Sequence, residues 1–146
     1  MIWKSWQELP NDMRCEAVRP YYDILASKRR DLMLKSVFDR LMAAILLVVL
    51  SPIFLLLAVW IKLDSKGPVF FRQERVTQYG KSFRIYKFRT MVQNAEQLGA
   101  QVTSKDDMRV TSVGQALRKC RLDELPQLIN ILEGTMSFVG TRPEVR

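Results

Sequence analysis

The chain of 146 residues has no histidine, and that absence excludes more chemistry than any other feature of its composition. No imidazole can act as general base, proton shuttle or metal ligand. Cysteine is almost as scarce. Cys15 and Cys120 stand alone, in no motif with metal-ligand spacing, and nothing in the chain argues for a disulfide-stapled secreted scaffold. Catalysis must therefore rest on carboxylates, Lys, Tyr or a lone Cys, and any metal should be a hard cation on oxygen ligands, with Mg²⁺ the leading candidate. Acidic residues are in deficit: 15 Asp+Glu face 23 Lys+Arg, a formal net charge of +8. Such a surface favours polyanions, whether nucleic acid, an anionic phospholipid membrane or phosphate-bearing substrates. No nucleic-acid module is recognisable and the basic residues cluster beside an apolar run, so no nucleic acid is expected as partner.

That run is itself an absence, of charge. From Leu41 to Ile61 every residue is uncharged and nearly all are apolar. A helix of that length reaches ~30 Å, the thickness of a hydrocarbon core. It is apolar on every face, which a domain this small could hardly cover. About forty residues precede it, including Glu8, Asp12 and Glu16, and no small-residue cleavage site follows, so it is not expected to be a cleavable signal peptide. Both flanks are basic: Lys28, Arg29, Arg30, Lys35 and Arg40 before it, Lys62, Lys66, Arg72 and Arg75 after it. The positive-inside rule then places both ends in the cytoplasm, which a straight span cannot do. Ser51-Pro52 interrupts the run, and a proline inside a helix removes one backbone hydrogen bond while a serine hydroxyl can satisfy a freed group. A re-entrant helix, entering and leaving by one face, reconciles these features. A kinked helix that spans the bilayer is the alternative. Residues 1–30 mix Trp3, Trp6, Tyr21 and Tyr22 with charges and prolines, which suits an interfacial stretch or a solvated cap.

Beyond Gly67-Pro68, PVFFRQERV reads as a strand, Gln78-Tyr79-Gly80 as a turn and KSFRIYKFRTM as a second strand. Its alternation puts Phe83, Ile85 and Lys87 on one face, with Arg84, Tyr86 and Phe88 on the other. Residues 93–107 read as a loop or short helix. Ser112 to Cys120 predicts a helix with Val113, Ala116, Leu117 and Cys120 on one side, either packed on a core or lying in the headgroup plane. Asp123 to Glu133 predicts a second helix, capped by Asp123, with Pro126 in its first turn, Gly134 after its last, and Leu125, Leu128, Ile129 and Leu132 as its buried stripe.

Two carboxylates, Asp123 and Glu124, stand at that predicted start. Acidic residues there commonly do no more than complement the helix dipole. Their neighbourhood suggests more: Arg118, Lys119 and Arg121 precede them and Arg142 follows the helix. In a chain without histidine, an acidic pair among arginines is the best site on offer for phosphoryl chemistry, one carboxylate attacking phosphorus while cations neutralise its oxygens. The arginines would equally serve to dock the chain on anionic lipid.

GPVFFRQERV, GKSFRIYKFRTM and RKCRLDELPQLINILEGTMSFVGTRPE, in that order after an apolar run broken by Ser-Pro, resemble the monotopic phosphoglycosyl transferases, the bacterial sugar transferases of capsule, exopolysaccharide, O-antigen and glycoprotein assembly. The resemblance covers roughly residues 33–145. It implies a membrane-associated α+β fold: an interfacial or cap segment (1–32), a re-entrant membrane helix broken at Ser51 and Pro52 (33–63), and a cytoplasmic catalytic domain with a β-hairpin and amphipathic helices (64–146). It implies residence at the cytoplasmic face of the bacterial inner membrane. It implies that Asp123 attacks the β-phosphate of a UDP-sugar, releasing UMP, and that polyprenyl phosphate, usually undecaprenyl phosphate, then takes the phosphosugar from the aspartate. Glu124 is implied as the second member of the dyad, for metal binding or proton transfer, with Mg²⁺ held at Asp123 and Glu124. Lys87, Arg118 and Arg142 match phosphate-binding positions. Two departures stand out. The usual Pro-Arg-Pro reads Thr141-Arg142-Pro143, and family members continue several tens of residues past this motif. A relative that keeps the membrane anchor but only binds lipid or a partner is the alternative reading.

Overall fold

The computed structural model describes residues 4–93, 95, 107–141 and 143–145. The predicted loop over 93–107 and Arg142 therefore lie, wholly or nearly so, outside the described residues. Helix α1 runs Arg19–Ser27, α2 Arg29–Val49 and α3 Ser51–Asp64. Strand β1 (Phe70–Val76) and β2 (Ser82–Phe88) form an antiparallel hairpin, followed by α4 (Ser112–Lys119), α5 (Gln127–Glu133) and a two-residue strand β3 (Glu144–Val145) on the outer edge of β1. The molecule is α+β, and the expected hairpin is present. Its turn closes through Thr77 N–H donating to the Lys81 carbonyl at 2.8 Å, with Tyr79 held at φ 60.

The apolar run is broken where the proline predicts. Pro52 has no N–H to donate to the carbonyl four residues back, that of Val48. The Ser51 hydroxyl donates to that same carbonyl at 2.7 Å, so the orphaned acceptor is satisfied. Among the described residues no single helix is long and apolar enough to cross a membrane. Together α2 and α3 meet the length and composition, but they are bent by 62° at the break.

Each limb of the bend grips a different part of the remaining structure. On α2, Ala43 packs with Leu128 and Ile131 of α5, with Leu46, Leu47, Leu50 and Met136 around them. On α3, Leu57 and Ile61 join Phe88 of β2 and Val113 and Leu117 of α4. Phe88 sits at the centre, its ring 5.4 Å from that of Phe54 and 5.5 Å from that of Phe70. Phe88 and Ile85 are both buried although they point to opposite faces of β2, and α3 and α4 cover the Phe88 side. Burying side chains of this size contributes about 1.5–3 kcal/mol each.

The open edge of β2 is closed by one side chain. Asn130 of α5 is fully buried. Its Oδ1 accepts from the Tyr86 N–H and its Nδ2 donates to the Arg84 carbonyl, both at 2.9 Å, as a neighbouring strand would. The stripe expected on this helix is thus corrected. Leu128, Asn130 and Ile131 are buried, while Ile129 is half-buried and Leu132 exposed, because the edge of β2 demands an amide and α2 takes the face beside it. Gly134 ends α5 in the left-handed region, φ 79, as its position predicts, and a Cβ there would strike the Arg40 guanidinium.

Candidate functional site

Helix α4 starts at Thr111, whose Oγ1 accepts from the Gly114 N–H at 3.0 Å, and its buried side is Val113, Gly114 and Leu117. Ala116 and Cys120, expected on that side, are exposed, because α4 presses Gly114 rather than a wider apolar face onto its neighbour. That neighbour is Thr90: a Cβ on Gly114 would fall on the Thr90 carbonyl, so only glycine permits this approach. After α4 the chain turns through Arg121, at φ 59, into a 3₁₀ turn, Leu122–Glu124, that carries both carboxylates.

The acidic pair is therefore not the cap of a helix beginning at Asp123, as the sequence predicts. Asp123 makes no capping bond. Its turn is held by short-range bonds, Glu124 N–H to the Arg121 carbonyl at 3.4 Å and Leu125 N–H to the Leu122 carbonyl at 3.2 Å. Pro126, lacking an N–H, cannot bond back to Leu122, and α5 starts only at Gln127.

The structure brings four of the five expected polar site residues together. Lys87 projects from β2 and forms an ion pair with Glu124, Nζ to Oε1 3.2 Å, both side chains largely shielded. Asp123 is half-buried beside them. Burial pushes its carboxyl above the ordinary 3.8, the adjacent Glu124 charge pushes the same way, and Lys87 and Arg118 pull it down. Arg118 extends from α4 and donates from Nε to Thr90 Oγ1 at 2.9 Å. A half-buried carboxylate with two cations nearby has the elements of a nucleophile facing an anionic substrate. Thr90 and Gly114 escaped the sequence reading. A glycine inside a helical pattern was the available signal, since it asks what comes close enough to need it.

Among the described residues no group of three or more Cys, Asp or Glu could hold a metal ion. Two adjacent carboxylates still fit Mg²⁺, which is commonly bound by one or two carboxylates together with substrate phosphates rather than in an all-protein cage.

A cleft of about 590 Å³ opens elsewhere, at the turn end of the hairpin, lined by residues that include Lys35, Asp39, Tyr79, Ser137, Thr141 and Pro143. Asp39 of α2 accepts from Lys35 Nζ and from Ser137 Oγ, both at 2.7 Å, which ties α2 to the segment after α5. Neither Asp123 nor Glu124 lines this cleft.

Comparison with known proteins places the chain in a family. Residues 30–146 match the family model described as bacterial sugar transferase. The chain is 54% identical over 113 residues to a UDP-N-acetylgalactosamine-undecaprenyl-phosphate N-acetylgalactosaminephosphotransferase of Aeromonas hydrophila, covering 77% of this chain and 27% of that protein. It is 46% identical over 110 residues to a UDP-glucose:undecaprenyl-phosphate glucose-1-phosphate transferase of Xanthomonas campestris pv. campestris, covering 75% of this chain and 23% of that protein. It is also 46% identical over 113 residues to an exopolysaccharide production protein of Rhizobium leguminosarum bv. phaseoli, covering 77% and 56%. The chain thus spans between about a quarter and just over half of these relatives. With a family model matched over most of its length, the chain belongs to the bacterial sugar transferase family.

Proposed function

We propose that the protein transfers a sugar 1-phosphate from a UDP-sugar to a polyprenyl phosphate such as undecaprenyl phosphate, at the cytoplasmic face of a bacterial inner membrane. The observation that carries this reading is the cluster of Asp123, Glu124, Lys87 and Arg118 in a chain whose relatives are named for such transfers. An Asp123 oxygen attacks the β-phosphorus, the bond from that phosphorus to the bridging oxygen breaks, and UMP leaves with the electron pair. An oxygen of polyprenyl phosphate then attacks the same phosphorus, and the Asp123 carboxylate is released unchanged. Lys87 and Arg118 neutralise phosphate oxygens as charge shifts between them, which is where fixed cations accelerate such a displacement. Arg142 joins them in this reading as a further phosphate ligand. Asp123 and Glu124 would hold Mg²⁺, which supplies additional charge neutralisation on the diphosphate.

The bend suits a helix that enters one leaflet. With the limbs symmetric about a 62° bend, about ten apolar residues on each side descend roughly 8 Å, within half of a hydrocarbon core. Both basic flanks then stay on one side of the membrane. The outward faces of the arm carry Leu34, Val48, Leu55, Leu56 and Leu63, all strongly exposed, as a lipid-facing surface requires.

The test is UMP release by the full-length protein across a panel of UDP-sugars, with and without polyprenyl phosphate. Continuous release that needs both substrates, with about one UMP per protein when polyprenyl phosphate is withheld, and that falls at least about 10³-fold in Asp123→Asn supports the reading. No UMP from any donor would favour a lipid- or partner-binding role instead.

A further inference from the structure

Resting on the assignment of Arg118 as a phosphate ligand, we propose that Thr90 is a positioning residue that sets the plane and reach of the Arg118 guanidinium, and that it thereby couples this arginine to the end of α3.

A guanidinium presents two useful edges, Nε with one terminal nitrogen, or the two terminal nitrogens together, and either matches two phosphate oxygens. Here Nε is committed to Thr90 Oγ1 at 2.9 Å. Among the described residues none accepts from the two terminal nitrogens of Arg118, so that edge is the one offered to an anion. An arginine held at only one end by its alkyl chain would lose rotamer freedom on binding. The Thr90 bond removes part of that loss before the substrate arrives, and preorganisation of this kind appears as affinity.

Thr90 can do this because it is fixed from three sides. Its side chain is buried and β-branched, hence stiff about χ1. Its carbonyl accepts from the Thr111 N–H at 3.0 Å, at the cap of α4, and Gly114 rests directly against that carbonyl. Gly114 and Arg118 are four residues apart, on one face of α4, so the helix docks through the glycine and delivers the arginine one turn later onto the same threonine.

The residue before Thr90 anchors the other end. Arg89 is buried, and its Nη2 donates to the Ser65 carbonyl at 2.6 Å and to Ser65 Oγ at 2.8 Å, just past the last turn of α3. Phe88 packs on Leu57 and Ile61 of the same helix. Asp64, the last residue of α3, accepts from the Val113 N–H at 3.4 Å. Phe88, Arg89 and Thr90 therefore join the end of the apolar arm, the core and the candidate phosphate ligand in three consecutive residues. Arg118 is thus referenced to α3, the element that the proposed function places in lipid, rather than to a surface loop.

The experiment is a double-mutant cycle in the full-length protein, read as KM and kcat for UMP release and as equilibrium binding of UDP with Mg²⁺. Thr90→Val keeps the shape and removes the acceptor; it should raise KM and weaken UDP binding by about tenfold, the scale of one charge-assisted hydrogen bond. Thr90→Ser should restore both to within about twofold. In an Arg118→Ala background Thr90→Val should add nothing. Equal losses from Thr90→Val in both backgrounds would assign Thr90 a structural role and overturn the proposal, as would wild-type behaviour of Thr90→Val while Arg118→Ala is impaired. If Arg118→Ala itself binds and turns over like wild type, the phosphate-ligand assignment fails, and the proposal with it. Should Thr90→Val not fold, Thr90→Ala compared with Thr90→Ser carries the same cycle, with serine expected to restore what alanine loses.

Discussion

The bent arm, α2 and α3, and the unit built from the hairpin, α4 and α5 use the same apolar residue types with opposite orientation. In the unit, Phe88 and Leu117 are 2% and 0% exposed. On the arm, Leu55, Leu56 and Leu63 are 67%, 69% and 81% exposed, while Ala43, Leu57 and Ile61, with the half-buried Leu46, Leu47, Leu50 and Phe54 beside them, turn inward. Burial inside the unit is driven by water. Exposed apolar area on this scale along one arm marks a surface made to be covered, and the proposed function assigns its cover to lipid. The inward side of the arm is where the two meet, and the acidic pair lies next to it, on a turn packed against β2 with Leu122 and Leu125 on the core that α3 completes.

If that contrast holds, charge on the arm should do the greatest damage. Leu55→Lys with Leu56→Lys places two cations on the outward face, each costing up to about 3 kcal/mol at the centre of a bilayer and less at the shallow depth of a re-entrant arm. Flotation with anionic vesicles should show the protein shifted from the membrane to the soluble fraction. Retention on the vesicles would mean that the arm is not lipid-facing.

Truncation should separate the regions next. Leu117→Ala opens a cavity in a closed core and should cost about 2–5 kcal/mol of stability. Leu55→Ala removes the same atoms from an exposed position and should change the denaturation midpoint little. Equal losses would erase the distinction between the two surfaces.

The bend itself is sharpened by labelling. Cysteines placed singly at Arg30 and Lys66, both exposed, in a background lacking the exposed Cys15 and Cys120, should both resist an impermeant thiol reagent in intact cells. Pro52→Ala restores the missing backbone donor and should give mixed labelling as the helix straightens. Labelling of one site only in the unaltered sequence would mean a kinked span.

The smallest effect lies within the site. Burial raises the Asp123 pKa above its ordinary 3.8, so between those values the native protein holds more protons than the unfolded chain. Stability is then fully present below pH 3.8 and declines as pH rises through the folded value. Asp123→Asn removes the charge that is costly to bury. Its Tm should exceed that of the wild type at pH 7 and converge with it near pH 3.8. Identical melting curves at pH 7 would mean that the carboxylate is not desolvated.

The hairpin, the break at Ser51-Pro52, helix α4 and the Gly134 stop were legible in the sequence because each depends on local rules: alternation, a missing donor, a helical period, a left-handed cap. What was not legible depends on partners distant in sequence. Asn130 in a leucine-rich helix reads as an interruption until the edge of β2, more than forty residues earlier, is seen to need its amide. The late start of α5 follows from Pro126 and from Arg121 adopting φ 59, a conformation that no non-glycine residue advertises. The dyad was visible as two adjacent acids near arginines. Its pairing through Lys87 and the seat of Arg118 on Thr90 needed the fold, since the partners stand 37 and 28 positions apart in the sequence.

The central claim is that Asp123 carries the phosphosugar between donor and acceptor. The full-length protein, incubated with UDP-sugar and Mg²⁺ in the absence of polyprenyl phosphate, should hold one phosphosugar, and mass spectrometry of its peptides should map it to Asp123. Addition of polyprenyl phosphate should discharge it. An adduct on any other residue, or UMP release with no adduct when polyprenyl phosphate is present and none trapped when it is withheld, would contradict the account.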